Sequence, residues 1–380
     1  MTAPEEFDPK RAAASHIEPL TALRFFAAIW VVLFAYWPKL DLGFTPAAVA
    51  KGYLGVEVFF VLSGFILCHV YLAAVERGRF GYGGFLWARL ARVYPLHLFT
   101  LVGVGALALA AGLAGFSVGE GVTEWSALPA NLLMIHAWGF APTAGWNHPS
   151  WSISAEWFAY LSFPVFALAA IRMRERPRLA VALTIGLLFA LYAGFQRLTG
   201  EPLTQATIEW GALRIVPCFA YGCALFLLWR SGAVRTGYQA LFGLLVSLCG
   251  LAAFAGLGAP DAAVVTAAGG LILFLAGLWS HSPAEAFDGP LGRFGVYLGE
   301  ISYSVYMLAI PWSLVFVNGA GVLTGGGERL SPALWLLMTA GLVPLAALSY
   351  HLVERPARLA MRRFRQPPTA FPRERPAPAR

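Results

Sequence analysis

Apolar runs bounded by glycine, proline and charge recur along the chain, at roughly 20–37, 53–74, 93–114, 151–171, 179–197, 210–229, 238–257, 261–279, 296–317 and 332–353. An α-helix rises about 1.5 Å per residue and needs about 20 apolar residues to cross about 30 Å of hydrocarbon, and these runs have that length. Inside a bilayer every backbone amide must find its partner within its own segment, which favours helices over open sheets. The pattern therefore predicts an all-α, polytopic integral membrane protein with about ten transmembrane helices. Ten spans put both termini on the same side.

The distribution of lysine and arginine predicts which side that is. The segments 1–19, 75–92, 172–178, 230–237, 280–295 and 354–380 carry 21 of the 27 basic residues, while the alternate loops carry only Lys39, Lys51 and Arg329. Positive charge collects on the cytoplasmic face, so both termini are expected in the cytoplasm and the chain in the cytoplasmic (inner) membrane. The expected division is an N-terminal segment over 1–19, a transmembrane domain over 20–353 and a basic tail over 354–380. The tail is rich in arginine and proline and reads as disordered, held near anionic headgroups. The first residues include Glu5, Glu6 and Asp8 and lack the basic start of a cleaved signal.

Composition agrees with lipid as the main solvent: 58% of residues are hydrophobic and 12% charged, too few charges to coat a water-soluble domain of 380 residues. A net charge of +7 could suggest nucleic acid, but the basic residues form no continuous stripe, so none is expected as a partner. Cys68, Cys218, Cys223 and Cys249 all fall in apolar spans without metal-ligand or redox spacing. No metal site is expected.

Ionisable side chains within spans are costly and hence functional candidates. Arg24 opens the first span, and position 35, eleven residues on, lies about 20° from the same helix face. Glu57 and Glu156 stand near the outer starts of the second and fourth spans, at the depth expected for position 35. Either carboxylate could instead pair with an arginine simply to join helices. At the cytoplasmic start of the third span, Arg89 and Arg92 are neighbours on one face beside Tyr94, and planar guanidinium groups suit phosphate oxygens. Ordinary charge anchoring would also account for them. The segment 115–150, with His136, Trp138 and His148, reads either as a loop folded over the outer mouth or as an interfacial aromatic belt.

These residues fall in an order that resembles the acyltransferase 3 family of membrane O-acyltransferases, over nearly the whole chain. The resemblance rests on Leu20-x-x-Leu23-Arg24, on the Gly-Val-x-x-Phe-Phe-x-x-Ser-Gly-Phe run ending at Phe65, and on Phe85-x-x-x-Arg89-x-x-Arg92-Val93-Tyr94-Pro95. It continues through Trp151-Ser152-x-x-x-Glu156-x-x-x-Tyr160-x-x-x-Pro164, Ile301-Ser302-Tyr303-Ser304-x-Tyr306 and Val353-Glu354-Arg355-Pro356. The family pattern has a histidine eleven residues after the first-span arginine, and often another three residues after the ninth-span tyrosine. This chain has Ala35 and Ala309 there. With the surrounding motif intact, an engineered inactive form is the simplest reading. A natural pseudoenzyme, or a member that uses another base, is the alternative.

The resemblance implies acyl-coenzyme A as donor from the cytoplasm and a hydroxyl-bearing acceptor, such as a glycan or lipid-linked sugar. It implies a donor site at Arg24, Arg89, Arg92 and Tyr94 and a general base at position 35, oriented by Glu156 or Glu57. Ser63, Trp151, Tyr160, Tyr303, Tyr306 and position 309 would line the acceptor side. Two other classes share these helices and buried charges. A transporter or flippase should show broken helices in two repeated halves, and no such repeat is visible. A non-catalytic interaction protein would account for Ala35 and Ala309 directly.

Overall fold

A computed structural model of the protein describes residues 16–115, 119, 121–282, 284–325 and 329–364. The long helices are α1 (Glu18–Tyr36), α2 (Gly55–Glu76), α3 (Tyr82–Leu113), α4 (Trp151–Leu161), α5 (Phe163–Met173) and α6 (Pro177–Thr199). They continue with α7 (Gly211–Arg230), α8 (Gly237–Gly256), α9 (Asp261–His281), α10 (Pro290–Thr324), α11 (Pro332–Ser349) and α12 (Arg355–Phe364). Among the described residues nine helices are long and apolar enough to cross a membrane, with a tenth if α4 and α5 form one bent span. No strand is present among them beyond an isolated bridge between Leu40 and Leu330.

Three boundaries depart from the apolar pattern. The third helix starts at Tyr82 rather than near 93, because it runs on through the polar stretch that carries Arg89 and Arg92, and Pro95 lies inside it. The last span runs beyond 353 through a wide π-turn, Tyr350–Glu354, into α12. The basic tail therefore begins as a helix, and residues 365–380 lie outside those described. The fourth span is bent by 59° between α4 and α5. Pro164 at the start of α5 has no N–H to offer the Tyr160 carbonyl, the Val165 N–H turns to the Ser162 carbonyl, and the Leu161 carbonyl accepts from the Tyr82 hydroxyl at 2.8 Å.

The core is built on close backbone approach. The α2–α7 contact is the most extensive in the bundle, and it crosses where Gly64 faces the backbone of Phe219 and Gly222 faces that of Val61, with no room for a methyl group at either position. Small residues at such crossings are how helices associate in lipid, where burying apolar surface gives little advantage. Helices α1, α10 and α11 form a second cluster around Ala28, Val32, Ile301, Val305 and Met338.

Gly55 lies against the Ala27 carbonyl and Gly52 against that of Trp30, so α1 and α2 run antiparallel with residue 27 level with residue 55. Gly299 lies against Thr21, and the Tyr36 hydroxyl donates to the Ala309 carbonyl at 2.6 Å. Helices α1 and α10 therefore run parallel, with residue 21 level with 299. The segment 128–150 is wedged into the bundle: Asn147 donates to the Met307 carbonyl at 3.0 Å, and the Tyr306 hydroxyl donates to the Pro149 carbonyl at 3.0 Å. This packing differs from both readings open for the segment 115–150, a loop over the outer mouth and an interfacial belt.

Candidate active site

A cavity of about 580 Å³ lies between α1, α2, α3, α4, α10 and α12. Along α2 its wall runs from Val56 to Tyr71, fifteen residues or about 22 Å of helix, so it is elongated. At one end are Tyr71, Arg89 and Arg92 with Arg355, Arg358 and Arg362 of α12; towards the other are Phe59, Phe60, Ser152 and Tyr306. Among the described residues six guanidinium groups, Arg24 included, and only the carboxylates of Glu156 and Glu300 line it. Among the described residues Arg24, Arg92, Arg355 and Arg362 form no salt bridge. Clustered guanidinium groups without carboxylate partners suit a polyanion.

Glu156 lies in the last turns of α4 before the Pro164 bend. One of its oxygens, Oε1, accepts from the Ser63 hydroxyl at 2.6 Å and the Tyr160 hydroxyl at 2.5 Å. Arg24 projects over the Phe59 ring at 5.9 Å, in the same wall. Arg89 lies 5.7 Å from the Tyr71 ring centroid and 6.0 Å from that of Tyr160. The Tyr303 hydroxyl donates to the Val93 carbonyl at 2.7 Å, joining α10 to α3. The structure thus brings Arg24, Ser63, Arg89, Arg92, Glu156, Tyr160, Tyr303 and Tyr306 to one cavity.

Other sequence candidates lie elsewhere. Glu57 is fully buried and takes the Arg214 guanidinium at 2.5 Å, an arginine that also donates to the Ala206 carbonyl and lies 4.4 Å from the Trp151 ring. Trp151 is 4% exposed, packed between Arg214 and Phe60, so its face is not open for a sugar to stack on. Tyr94 lies outside the wall, with its ring 6.2 Å from His97.

Ala35 and Ala309 also lie outside the wall, yet close to each other in the second cluster, with Tyr36 bonded to the Ala309 carbonyl. The helix register corrects the depth expected for the two carboxylates. Glu57 is level with residue 25 of α1, about 15 Å along the axis from position 35, and Ser63, the Glu156 partner, is level with residue 19, about 24 Å away. Both acids therefore sit nearer the arginine end than the sequence places them, Glu57 by the α1–α2 register and Glu156 by its bond to Ser63. A side chain on a helix leans towards the N-terminus, so one at position 35 would point down α1 towards the deep end of the cavity near Tyr306.

The arginines of α12 were missed, although their spacing was visible: Arg355, Arg358 and Arg362 repeat at three and four residues and so share one helix face. Glu354, 2% exposed, accepts from the Ser304 hydroxyl at 3.0 Å and faces Arg358 at 3.6 Å. The Val-Glu-Arg-Pro and Ile-Ser-Tyr-Ser stretches are thus two halves of one strut. Against α3, His136 is buried and its ring stacks on His97 with centroids 5.8 Å apart. Burial, with His97 adding to it, pushes the His136 ring down to about 3. Its Nε2 lies 3.0 Å from the Ser150 hydroxyl.

Residues 18–351 match the family described as "Acyltransferase domain". "Acyltransferase MdmB" of Streptomyces mycarofaciens is 29% identical over 364 residues, covering 88% of this chain and 87% of that protein. "O-acetyltransferase OatA" of Staphylococcus aureus is 23% identical over 380 residues, covering 92% of this chain and 58% of that protein, so the chain spans less than two thirds of that relative. A short stretch of 52 residues is 48% identical to "Protein 2 in picA locus" of Rhizobium radiobacter. No solved structure matches.

Proposed function

The chain belongs to the acyltransferase 3 family of membrane acyltransferases, and from that premise we propose that it takes an acyl group from acyl-coenzyme A and passes it to the hydroxyl of a glycan, lipid-linked sugar or other small acceptor. The cavity is the observation that carries this reading. It is about 22 Å long, within the usual 300–1,000 Å³ range of ligand sites, arginine-rich at one end and lined with hydroxyls and a carboxylate farther in. A nucleotide thioester has the matching polarity, with phosphates at one end and a reactive carbonyl at the end of a long apolar arm.

The chemistry follows from that orientation. The phosphates meet Arg89 and Arg92, and the pantetheine arm runs along α2 past Ser63 towards Phe59 and Tyr306. Arg24, eleven residues or about 16 Å short of position 35 along α1, holds the donor beside Phe59, and the thioester carbonyl extends past it towards position 35. The acceptor oxygen attacks the thioester carbon and the C–S bond breaks. The acceptor proton passes to a base, and the coenzyme A thiolate leaves and is then protonated. In the family pattern the base is the imidazole at position 35; Ala35 cannot take a proton, so turnover by this chain is proposed to be strongly impaired. Glu156, anchored by Ser63 and Tyr160, belongs to the donor channel on this reading and does not orient position 35.

Arg89→Ala and Arg92→Ala test it. Each should weaken coenzyme A binding by about tenfold or more, since a hydrogen bond to a charged group contributes about 1.5–3 kcal/mol, and the loss should shrink at high salt. Calorimetry that finds unchanged affinity in both variants would return these residues to plain interfacial anchoring.

A further inference from the structure

Helix α12 lies outside the donor residues considered so far, yet four of its ten residues, Arg355, Arg358, Leu359 and Arg362, line the cavity. Arg363, next in the chain, does not. Arginines recruited only as membrane anchors have no reason to converge on one cavity wall. The helix is also fixed in place. Glu354 at its start is buried against Ser304 and Arg358, and the Trp87 indole donates to the Met361 carbonyl at 2.8 Å near its end. Trp87 precedes Arg89 and Arg92 on α3, so α12 packs alongside the start of α3, with Arg362, next to Met361, at that rim of the cavity. Arg355 and Arg362 are exposed, and Leu359, 47% exposed, presents an apolar surface between them.

We infer that α12 forms a second phosphate subsite for the donor: Arg355, Arg358 and Arg362 bind the phosphate on the ribose of the nucleotide end, with the purine lying against Leu359, while Arg89 and Arg92 hold the diphosphate. This rests on the reading of the donor as a coenzyme A thioester. The charge balance at the rim supports it. Glu354 occupies one side of Arg358, and Glu300 accepts from the Tyr350 hydroxyl; Arg355 and Arg362 keep their charge free of any acidic partner among the described residues. A ribose monophosphate carries close to two negative charges near neutral pH, as other phosphate monoesters do, and several guanidinium groups on one face can share it. An anionic lipid headgroup offers the same phosphate chemistry from a different source.

The test uses the full chain in nanodiscs of phosphatidylcholine, with calorimetric binding of coenzyme A and of 3′-dephospho-coenzyme A. The parent should prefer coenzyme A by about tenfold or more, the effect of one or more charge-assisted contacts. In the triple variant Arg355→Gln, Arg358→Gln, Arg362→Gln the two affinities should converge to within about twofold, with that for 3′-dephospho-coenzyme A unchanged from the parent. The retained affinity reports that the variant is folded. If the triple variant binds neither compound, Arg362→Gln alone decides, with a several-fold narrower preference expected. Arg363→Gln should leave the preference as in the parent. An undiminished preference in the arginine variants overturns the subsite. So does a variant that binds both compounds as the parent does and loses only its retention of phosphatidylglycerol, which assigns the arginines to lipid. A parent that binds neither compound overturns the donor reading itself, a result distinct from an unchanged preference.

Discussion

Removing Arg214 should destabilise the protein without touching donor binding, because its role is to neutralise Glu57. Glu57 is 0% exposed and Arg214 2%, so the pair is neither hydrated nor screened. Arg214→Met leaves a carboxylate in the protein interior with its main partner gone and its second oxygen already lacking one. Breaking a buried pair from one side costs about 3–5 kcal/mol. Glu57→Gln should cost less, about 1–3 kcal/mol, since Arg214 keeps the Ala206 carbonyl at 3.2 Å and the Trp151 ring at 4.4 Å. The double variant removes both charges, so its cost should fall short of the sum by about 0.5–3 kcal/mol, the usual coupling of contacting residues. The assay is unfolding in mixed micelles titrated with sodium dodecyl sulfate, beside coenzyme A binding for each variant. Additive losses, or an Arg214→Met variant as stable as the parent, would refute the pairing as the main role of Glu57. A selective loss of coenzyme A affinity at undiminished stability would place Glu57 in the donor site after all.

Acyl transfer by Ala35→His, alone and with Ala309→His, should exceed the parent by about 10²–10⁴-fold at matched donor occupancy, the range of general-base catalysis; no gain in either variant would remove position 35 as the base. Single cysteines at Thr143 and Arg174, in a background without the native cysteines, should label from opposite faces of the membrane, and labelling from one face would sink the ten-span topology. The buried His136 ring is neutral in the folded state while its unfolded counterpart takes up a proton below about 6.5. Stability should therefore be full above that pH and fall towards about pH 3, by on the order of 2 kcal/mol between pH 6.5 and 5; a His136→Phe variant that retains the same slope in acid unfolding would assign it to other groups.

The order of the motifs and the length of the apolar runs made the helices legible, because lipid forces each span to satisfy its own backbone. Arg24 with Glu156, and Arg89 with Arg92, were legible for the same reason, since charge at membrane depth stands out. Depth was not. Counting from the apparent outer starts of spans placed Glu57 and Glu156 level with position 35, and only the register between helices, residue 27 against 55 and Ser63 against Glu156, reveals the offset. The partner of Glu57 was hidden by distance along the chain, 157 residues away at Arg214. The α12 arginines were legible as a helix face and were set aside because a basic, proline-rich tail resembles a disordered one.

The glycine crossing of α2 and α7 also limits how this protein can move. Two helices whose backbones touch at Gly64 and Gly222 cannot slide or rotate past each other without carbonyls colliding. Ser63, adjacent to that contact, is therefore held in a fixed frame, and with it the floor of the channel beside Glu156. The first turns of α1 are held in the same way, by Gly299 against the Thr21 backbone, and α12 is tied through Met361 and Glu354, so a donor must enter by movement of side chains at the mouth rather than of whole helices. The helices around the channel thus act as a stator, and substitutions that alter exchange rates should cluster among the side chains at its mouth.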